Sequence, residues 1–347
     1  MKKYIFLTFF LFSFSAFGQL PSIISSDYTI KKSQSPLKFN KTYVAKGARL
    51  YVEAGVVVEG NKLEVEGDLI MLGKEKDSIS WHCKTTLVQG TMVAKYCNFL
   101  PEMELTTYSK AEISYSHFEQ VTLLAYYKGE NMLLEHNSFN KSRVDLATST
   151  ALVRFNTFEQ SSITVRTKKS TLISDNNFNN STFLGSDEFE GMVEVVDNHF
   201  VGKSDILAAF ELEFKFNSDA KYYIHNNDIQ GYPHAFMLAF DHRRGDSGEN
   251  QAKINISKNT VTNCGIVLEV ASRRCVFKEF VVEKNTFSEF KTAFKAYDTS
   301  DVKPDKTIFL PYRIGKNKYD IPFKELLKRI DDFTGDYEQW IQFQVEY

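Results

Sequence analysis

Short runs in which apolar and polar residues alternate recur along most of this chain. Met132-Leu133-Leu134-Glu135, Ala151-Leu152-Val153-Arg154 and Ile254-Asn255-Ile256-Ser257 keep an apolar side chain at every second position. So do Arg143-Val144-Asp145-Leu146, Ser162-Ile163-Thr164-Val165 and Gly265-Ile266-Val267-Leu268. A period of two is that of a strand with one buried face. No 3.6-residue apolar period crosses these segments, so the predicted elements are strands, not helices.

The strands are punctuated by one recurring phrase: Asn, any residue, then Phe or another apolar residue. The first copies are Tyr96-Cys97-Asn98-Phe99 and Tyr115-Ser116-His117-Phe118. They are followed by Asn137-Ser138-Phe139, Asn156-Thr157-Phe158, Asn176-Asn177-Phe178 and Asn198-His199-Phe200. Asn227-Asp228-Ile229, Asn259-Thr260-Val261, Asn285-Thr286-Phe287 and Asn317-Lys318-Tyr319 complete the series. Successive terminal residues are 19, 21, 19, 20 and 22 apart up to Phe200, then 29, 32, 26 and 32 apart. A steady period that later lengthens is the pattern of stacked coils with insertions in their loops.

A single coil cannot bury its apolar face, so neighbours must stack and share a core. The spacing predicts that Phe139, Phe158, Phe178, Phe200 and Phe287 line up along one axis, about 4.8 Å apart where coils are adjacent. Each buried ring contributes about 1.5–3 kcal/mol. Asn137, Asn156, Asn176, Asn198, Asn227, Asn259 and Asn285 are predicted to form a ladder at the turn. Asn tolerates left-handed backbone geometry, and its amide can bond the amides above and below. These residues are read as structural, not catalytic.

The stretch Leu50-Tyr51-Val52-Glu53-Ala54-Gly55-Val56-Val57-Val58-Glu59, followed by Leu63-Glu64-Val65-Glu66-Gly67-Asp68-Leu69-Ile70, adds further short strands. With the phrases above it resembles the right-handed parallel β-helix proteins of the pectin-lyase-like superfamily, over roughly residues 45–320. The right hand is also the physical default for parallel crossovers. Leucine-rich repeats have a similar period but need several Leu at fixed offsets. The fold expected is an all-β, right-handed parallel β-helix of ten or more coils with a short C-terminal capping helix. Residues 1–18 are assigned to a signal peptide, 19–45 to an N-terminal cap, 46–320 to the solenoid and 321–347 to a C-terminal cap. Pro322 starts the predicted helix, and Phe323, Leu326, Leu327, Ile330 and Phe333 fall on one face of it.

The composition supports an aromatic core: 30 Phe and 17 Tyr, against only 17 Gly and 7 Pro to make turns. Asn therefore carries the turn chemistry. The formal net charge is −2, and loss of Lys2 and Lys3 with a signal peptide would make it 40 − 44 = −4. A net acidic chain is not a nonspecific nucleic-acid binder. Lys2 and Lys3, the apolar run Tyr4–Phe14 and Ala16-Phe17-Gly18 read as a secretory signal cleaved before Gln19. The apolar run is too short to span a bilayer, and no second one follows, so a secreted or periplasmic protein without a membrane segment is expected. In that setting Cys83–Cys97 and Cys264–Cys275 either form disulfides or remain four buried thiols. Their spacing suggests no zinc site. No cofactor is expected, and calcium stays open.

Motifs of carbohydrate-active β-helix families do not occur: neither the Arg-x-Pro-x-x-Arg and Trp-Ile-Asp-His elements of pectate-lyase-like enzymes, nor the Asn-Thr-Asp, Gly-His-Gly and Arg-Ile-Lys elements of polygalacturonase-like hydrolases. One constellation remains. Setting Ala235-Phe236-Met237-Leu238 above Gly265-Ile266-Val267-Leu268, an offset of 30, puts Arg243 and Arg244 beside Arg273 and Arg274. It also puts Glu211 beside Asp241 and His242, with Asp298 and Asp301 on the following coil. Glu211, Asp241, Arg243, Arg244, Arg273 and Arg274 are the candidate ligand-binding residues, since Arg forks onto carboxylates or sulfates. His242, Asp241 and Arg243 are the candidate catalytic ones, with Arg neutralising a uronate carboxylate while His242 or a Lys abstracts the proton. The bland alternative is a solvated loop of mutually paired charges. Arg244-Gly245-Asp246-Ser247 spells an adhesion tetrapeptide, which is weak evidence alone. The other histidines do not converge and read as core or turn residues. The expected function is an exported, non-catalytic β-helix protein that binds a polysaccharide or a cell-surface protein. The alternative is a lyase or hydrolase of acidic glycans acting through the 211–301 edge.

Overall fold

The computed structural model describes residues 18–126, 131–186, 190–203, 205–215, 219–241, 249–272, 276–298, 312–331 and 344–345. The chain forms an all-β parallel solenoid whose described residues include one α-helix, Phe323–Leu327. Each coil contributes one strand to each of three parallel stacks.

The first stack is built from the recurring phrase. Its rungs run Cys97–Phe99, His117–Glu119, Ser138–Asn140, Thr157–Glu159, Asn177–Asn179 and His199–Val201. They continue through Asp228–Gln230, Thr260–Thr262, Thr286–Ser288 and Lys318–Tyr319. Register puts Phe99, Phe118, Phe139, Phe158, Phe178, Phe200, Ile229, Val261, Phe287 and Tyr319 in one row. From Phe99 to Phe200 the rings lie face to face, with centroids 4.4–4.9 Å apart. The predicted stack is therefore real over these coils. Ile229 and Val261 interrupt it, so Phe287 belongs to the row but not to that pile.

The amide ladder is longer. The backbone N–H and the side-chain Nδ2 of Asn137 both donate to Oδ1 of Asn156, at 2.9 and 3.1 Å. The same pair of bonds repeats from Asn156 to Asn176, Asn198, Asn227, Asn259, Asn285 and Asn317. Each Nδ2 also donates to a carbonyl of the coil before, as Asn176 does to Val153 at 3.0 Å. In the first copies Cys97 and Ser116 take the ladder position: Ser116 N–H donates to Asn137 Oδ1 at 3.0 Å, and Cys97 N–H to Ser116 Oγ at 3.1 Å.

The ladder Asn is not itself the left-handed residue. That conformation falls on its predecessor: Tyr96, Tyr115, His136, Phe155, Asp175, Asp197, Asn226, Lys258, Lys284 and Lys316, with φ between 51 and 60°. A second corner, after the first stack, repeats the device. Left-handed Gln120, Lys141, Gln160 and Asn180 precede Val121, Ser142, Ser161 and Ser181. Ser142 N–H donates to Ser161 Oγ and Ser161 N–H to Ser181 Oγ, both at 2.9 Å, so a serine ladder serves this corner.

The second stack carries Thr122–Ala125, the first halves of Arg143–Arg154 and Ser162–Ser174, then Thr182–Ser186, Ala208–Lys215, His234–Asp241, Ile266–Ser272 and Thr292–Asp298. The third carries Ala111–Ser114, Asn131–Glu135, the second halves of Arg143–Arg154 and Ser162–Ser174, then Met192–Val196, Lys221–His225, Glu249–Ser257 and Val276–Glu283.

The solenoid also reaches further toward the N-terminus than the expected boundary at 46. Gly18–Gln19, Ile23–Ile24 and Tyr28–Ile30 already pair in parallel with Leu37–Val44 and Arg49–Val52. At the other end the helix buries Leu326 but leaves Leu327 and Phe323 exposed. Ile330 leaves the helix and pairs with Phe294. Phe333 lies outside the described residues, as do residues 1–17.

Cys83, Cys97 and Cys264 are buried free thiols, in line with the thiol alternative and not with a Cys83–Cys97 disulfide. Cys97 sits opposite Ile79, four residues before Cys83 on the same strand. That separation is on the order of 10 Å along a strand, beyond disulfide reach. Burial pushes Cys97 up to about 12 and Cys264 up to about 11, so both stay protonated and inert. Cys275 lies outside the described residues.

Candidate functional site

The charged edge expected over 211–301 has a different register from the one the sequence offset implied. Phe236 faces Leu268, an offset of 32, and Phe210 faces Phe236, an offset of 26. Glu211 therefore lies opposite Met237, and Asp241 lies opposite Lys215. Glu211 and Asp241 are not neighbours, because unequal loop insertions shift each coil by a different amount. His242, Arg243, Arg244, Asp246, Arg273, Arg274 and Asp301 lie outside the described residues.

The structure brings a different set of groups together on the second stack. Leu184, Glu211, Met237, Glu269, Lys295 and Asp331 form one row across successive coils. Glu269 is 5% exposed although its position points away from the core. Its Oε2 lies 3.2 Å from Nδ1 of His234 and 3.5 Å from Nζ of Lys295. The Lys295 ammonium beside this buried carboxylate offsets part of its desolvation. Burial holds the Glu211 carboxyl above its ordinary value, and the charge of His234 acts in the opposite sense. Two carboxyls, an imidazole and an ammonium thus share one patch. Of these the sequence reading named only Glu211. His234, Glu269 and Lys295 were hidden because their proximity depends on the register. A second paired group sits lower on the same face, where Asp145 is buried between Arg143 and Arg166.

The third stack offers a groove. Glu112, Leu133, Leu152, Leu172 and Glu194 occupy successive positions of one outward row. All five are half-buried. Outward aliphatic side chains on a water-facing sheet make an apolar floor. The groove, open to solvent, has a volume of about 530 Å³ and is lined also by Asn131, Thr150, Ser170 and Met192. On one side runs Asn131, Thr150 and Ser170, with Thr150 Oγ1 bonded to Asn131 Oδ1. On the other runs Ser114, Glu135, Arg154 and Ser174.

Beyond that row the corner carries Tyr96, Tyr115, His136 and Phe155, stacked at 5.1, 4.8 and 5.1 Å. Tyr115 and Phe155 are among the exposed large hydrophobic residues. Lys95 lies over the rings of Tyr96 and Tyr115, and Arg154 over that of Phe155. All four stacked residues are in left-handed conformation, where bulky side chains are disfavoured. Further along the corner the same position holds Asp175, Asp197, Asn226 and lysines. The left-handed backbone is thus common to the whole corner, and these four coils differ from the rest in carrying rings there.

The other histidines and the nearby large aromatic residues do not gather into a site. His117, His136, His199 and His225 are on the outer surface, not in the core, and His199 and His225 pair with Asp228 and Glu194 at 3.0 and 2.8 Å. Trp81 is a core residue whose Nε1 donates to Thr86 Oγ1 at 3.1 Å. Tyr126 stacks on Tyr108 at 5.6 Å, and Tyr127 lies outside the described residues.

Among the described residues no group of three or more His, Cys, Asp or Glu side chains is placed to hold a metal ion. No described helix is long and apolar enough to cross a membrane. No family model, curated protein or solved structure matches the chain.

Proposed function

We propose that this is an exported, non-catalytic binding protein that uses the third face of its solenoid as a wall for an extended partner. The observation that carries this reading is the outward row Leu133, Leu152 and Leu172 at the floor of the groove. A strand exposed to water gains nothing by placing leucines outward on three consecutive coils; a ligand covering them gains roughly 25 cal/mol per Å² of apolar area removed from water. The stacked aromatic corner beside it widens the same wall. Export rests on the basic and apolar N-terminal stretch alone. The test is binding of the purified protein to a glycan array and to an array of extended peptides, repeated with Leu152→Asp. Binding that disappears in Leu152→Asp, with an unchanged melting temperature, is the expected result. Binding unaffected by that change, or no binding on either array, overturns the reading.

A second reading is favoured by one specific observation. Glu211, His234, Glu269 and Lys295 juxtapose a carboxyl biased toward its protonated form with an imidazole and an ammonium, the groups that proton abstraction next to a uronate carboxylate requires. Incubation with uronate polymers, followed by the ultraviolet absorbance of the unsaturated product, tests it. Turnover that is lost in His234→Gln would replace the binding reading with a lyase. No turnover leaves the cluster as structural ion pairing.

A further inference from the structure

We infer that the third-face groove takes an uncharged polysaccharide lying along the solenoid axis, with successive sugar units on successive coils. This rests on the binding-wall reading and narrows it to one ligand class.

Three features of the groove select that class. The first is periodicity. The floor repeats once per coil, at about 4.8 Å, because each rung is one strand further along a parallel stack. Only a partner with a comparable repeat along its own length can use every rung equivalently, and a chain of linked pyranose rings has one.

The second feature is the cross-section. Each of the central coils presents one aliphatic side chain flanked by hydrogen-bonding ones. Asn131, Thr150 and Ser170 line the groove beside Leu133, Leu152 and Leu172, and on the other side the register places Glu135 and Arg154 beside Leu133 and Leu152, while Ser174 beside Leu172 is buried. A sugar ring has the complementary section: C–H groups on its faces and hydroxyls around its rim. An amphipathic peptide helix brings its polar groups to one side only and cannot present C–H faces with polar groups on both flanks.

The third feature is charge. Each carboxylate bordering the groove already has a side-chain partner, a cation for Glu112 and Glu135 and an imidazole for Glu194. Lys110 Nζ lies 2.6 Å from Glu112, Arg154 contacts Glu135, and His225 Nε2 lies 2.8 Å from Glu194. An anionic glycan would have to break these pairs to find a cation, and a cationic peptide would have to break them to find a carboxylate. A neutral chain leaves them intact and still finds donors and acceptors at the rims.

The test is calorimetric titration of the full protein with β-linked glucose and mannose oligomers of increasing length. Uronic-acid oligomers of equal length and an extended polar peptide are the comparison ligands. The expected result is affinity that grows with chain length until the oligomer spans the five rungs from Glu112 to Glu194, about 19 Å at strand spacing, and then levels off. It should change little between low and high salt. Leu152→Asp and Leu133→Asp should each weaken it about tenfold or more, while Glu213→Ala on the second face leaves it unchanged. Circular dichroism identifies which variants are folded, and either leucine variant suffices. Binding of the peptide alone, abolished by the leucine variants, overturns the glycan assignment while the binding wall stands. Salt-sensitive binding of the uronic-acid oligomers does the same. Neutral-oligomer binding with no length dependence, or indifferent to both leucine variants, places the ligand elsewhere and overturns the inference. No binding of any ligand overturns both.

Discussion

The coils before and after Phe200 differ in what fills them and agree in what ties them. Up to Phe200 the first stack has a ring on every rung, with planes within 19° of parallel. Beyond it Ile229 and Val261 take the ring's place. The aromatic contacts there are irregular: Phe200 tilts 46° against Phe210, and Phe287 tilts 47° against Tyr319. The asparagine ladder crosses this boundary without change, with the same two bonds from Asn198 to Asn227 as from Asn156 to Asn176. Packing volume is therefore negotiable from coil to coil, and satisfaction of the buried corner is not. An aliphatic side chain can fill a ring's place at modest cost, whereas a missing amide leaves buried donors and acceptors without partners.

The largest effect expected is in the regular half. Phe158→Ala removes a ring sandwiched between Phe139 and Phe178 and should cost about 3–5 kcal/mol in denaturant unfolding. Ile229→Val, at the equivalent position in the later half, should cost only about 0.5–1.5 kcal/mol. Comparable losses at the two sites with matched truncations would show that the stack adds nothing beyond burial.

Ladder variants should behave the opposite way, alike in both halves. Asn176→Ala strips the acceptor from the N–H and Nδ2 of Asn156 and the donor from the Val153 carbonyl. Asn259→Ala does the same to Asn227 and Ile224. Each should cost about 3 kcal/mol, given about 1–3 kcal/mol per orphaned buried group. A cost confined to Asn176 would break the comparison.

A pH experiment sharpens the view of the later half. Burial raises the Glu211 carboxyl above the ordinary glutamate value of 4.5, so the folded state binds its proton more tightly than the unfolded one. The stability it contributes is full below that value and is lost as pH rises through the folded-state value. Glu211→Gln should therefore flatten the stability profile above pH 4.5 and leave it unchanged below. A parallel shift of the whole profile would contradict burial as the cause.

The smallest effect is expected at the aromatic corner. Phe155→Asn places a residue that tolerates left-handed geometry at a φ of 58° and removes stacking on His136. The two changes oppose each other, each about 1 kcal/mol. Melting should move by little while ligand binding to the third face falls.

The part of this architecture that follows from one coil's own residues was legible in the sequence. The phrase from Asn137 to Phe139 carries its strand, its ladder amide and its stacking ring within three positions, and it repeats. What was misread depends on how coils are set against each other. Unequal insertions after the second-stack strands conceal offsets of 26 and 32, so Glu211 was placed beside Asp241 when it faces Met237. For the same reason the contact of His234 and Lys295 with Glu269 had no sequence signal. The leucine row of the groove was present in the alternation but looked like strand core. Only with the register known do Leu133, Leu152 and Leu172 align on the outer face. The left-handed corner was assigned to Asn by propensity, yet it falls one residue earlier, on side chains as unlike as Tyr96, Asp175 and Lys258. Position in the coil overrides preference there, because the ladder fixes the backbone that follows.

Hydrogen exchange read at the ladder amides tests the continuity of that ladder most directly. The backbone N–H groups of Asn137, Asn156, Asn176, Asn198, Asn227, Asn259 and Asn285 all donate to a neighbouring Oδ1. Protection that persists at a similar level from Asn137 through Asn259 is the result a single continuous ladder predicts. Protection that collapses at Asn227, where the ring stack ends, would mean that the phenylalanines and not the amides hold the coils together.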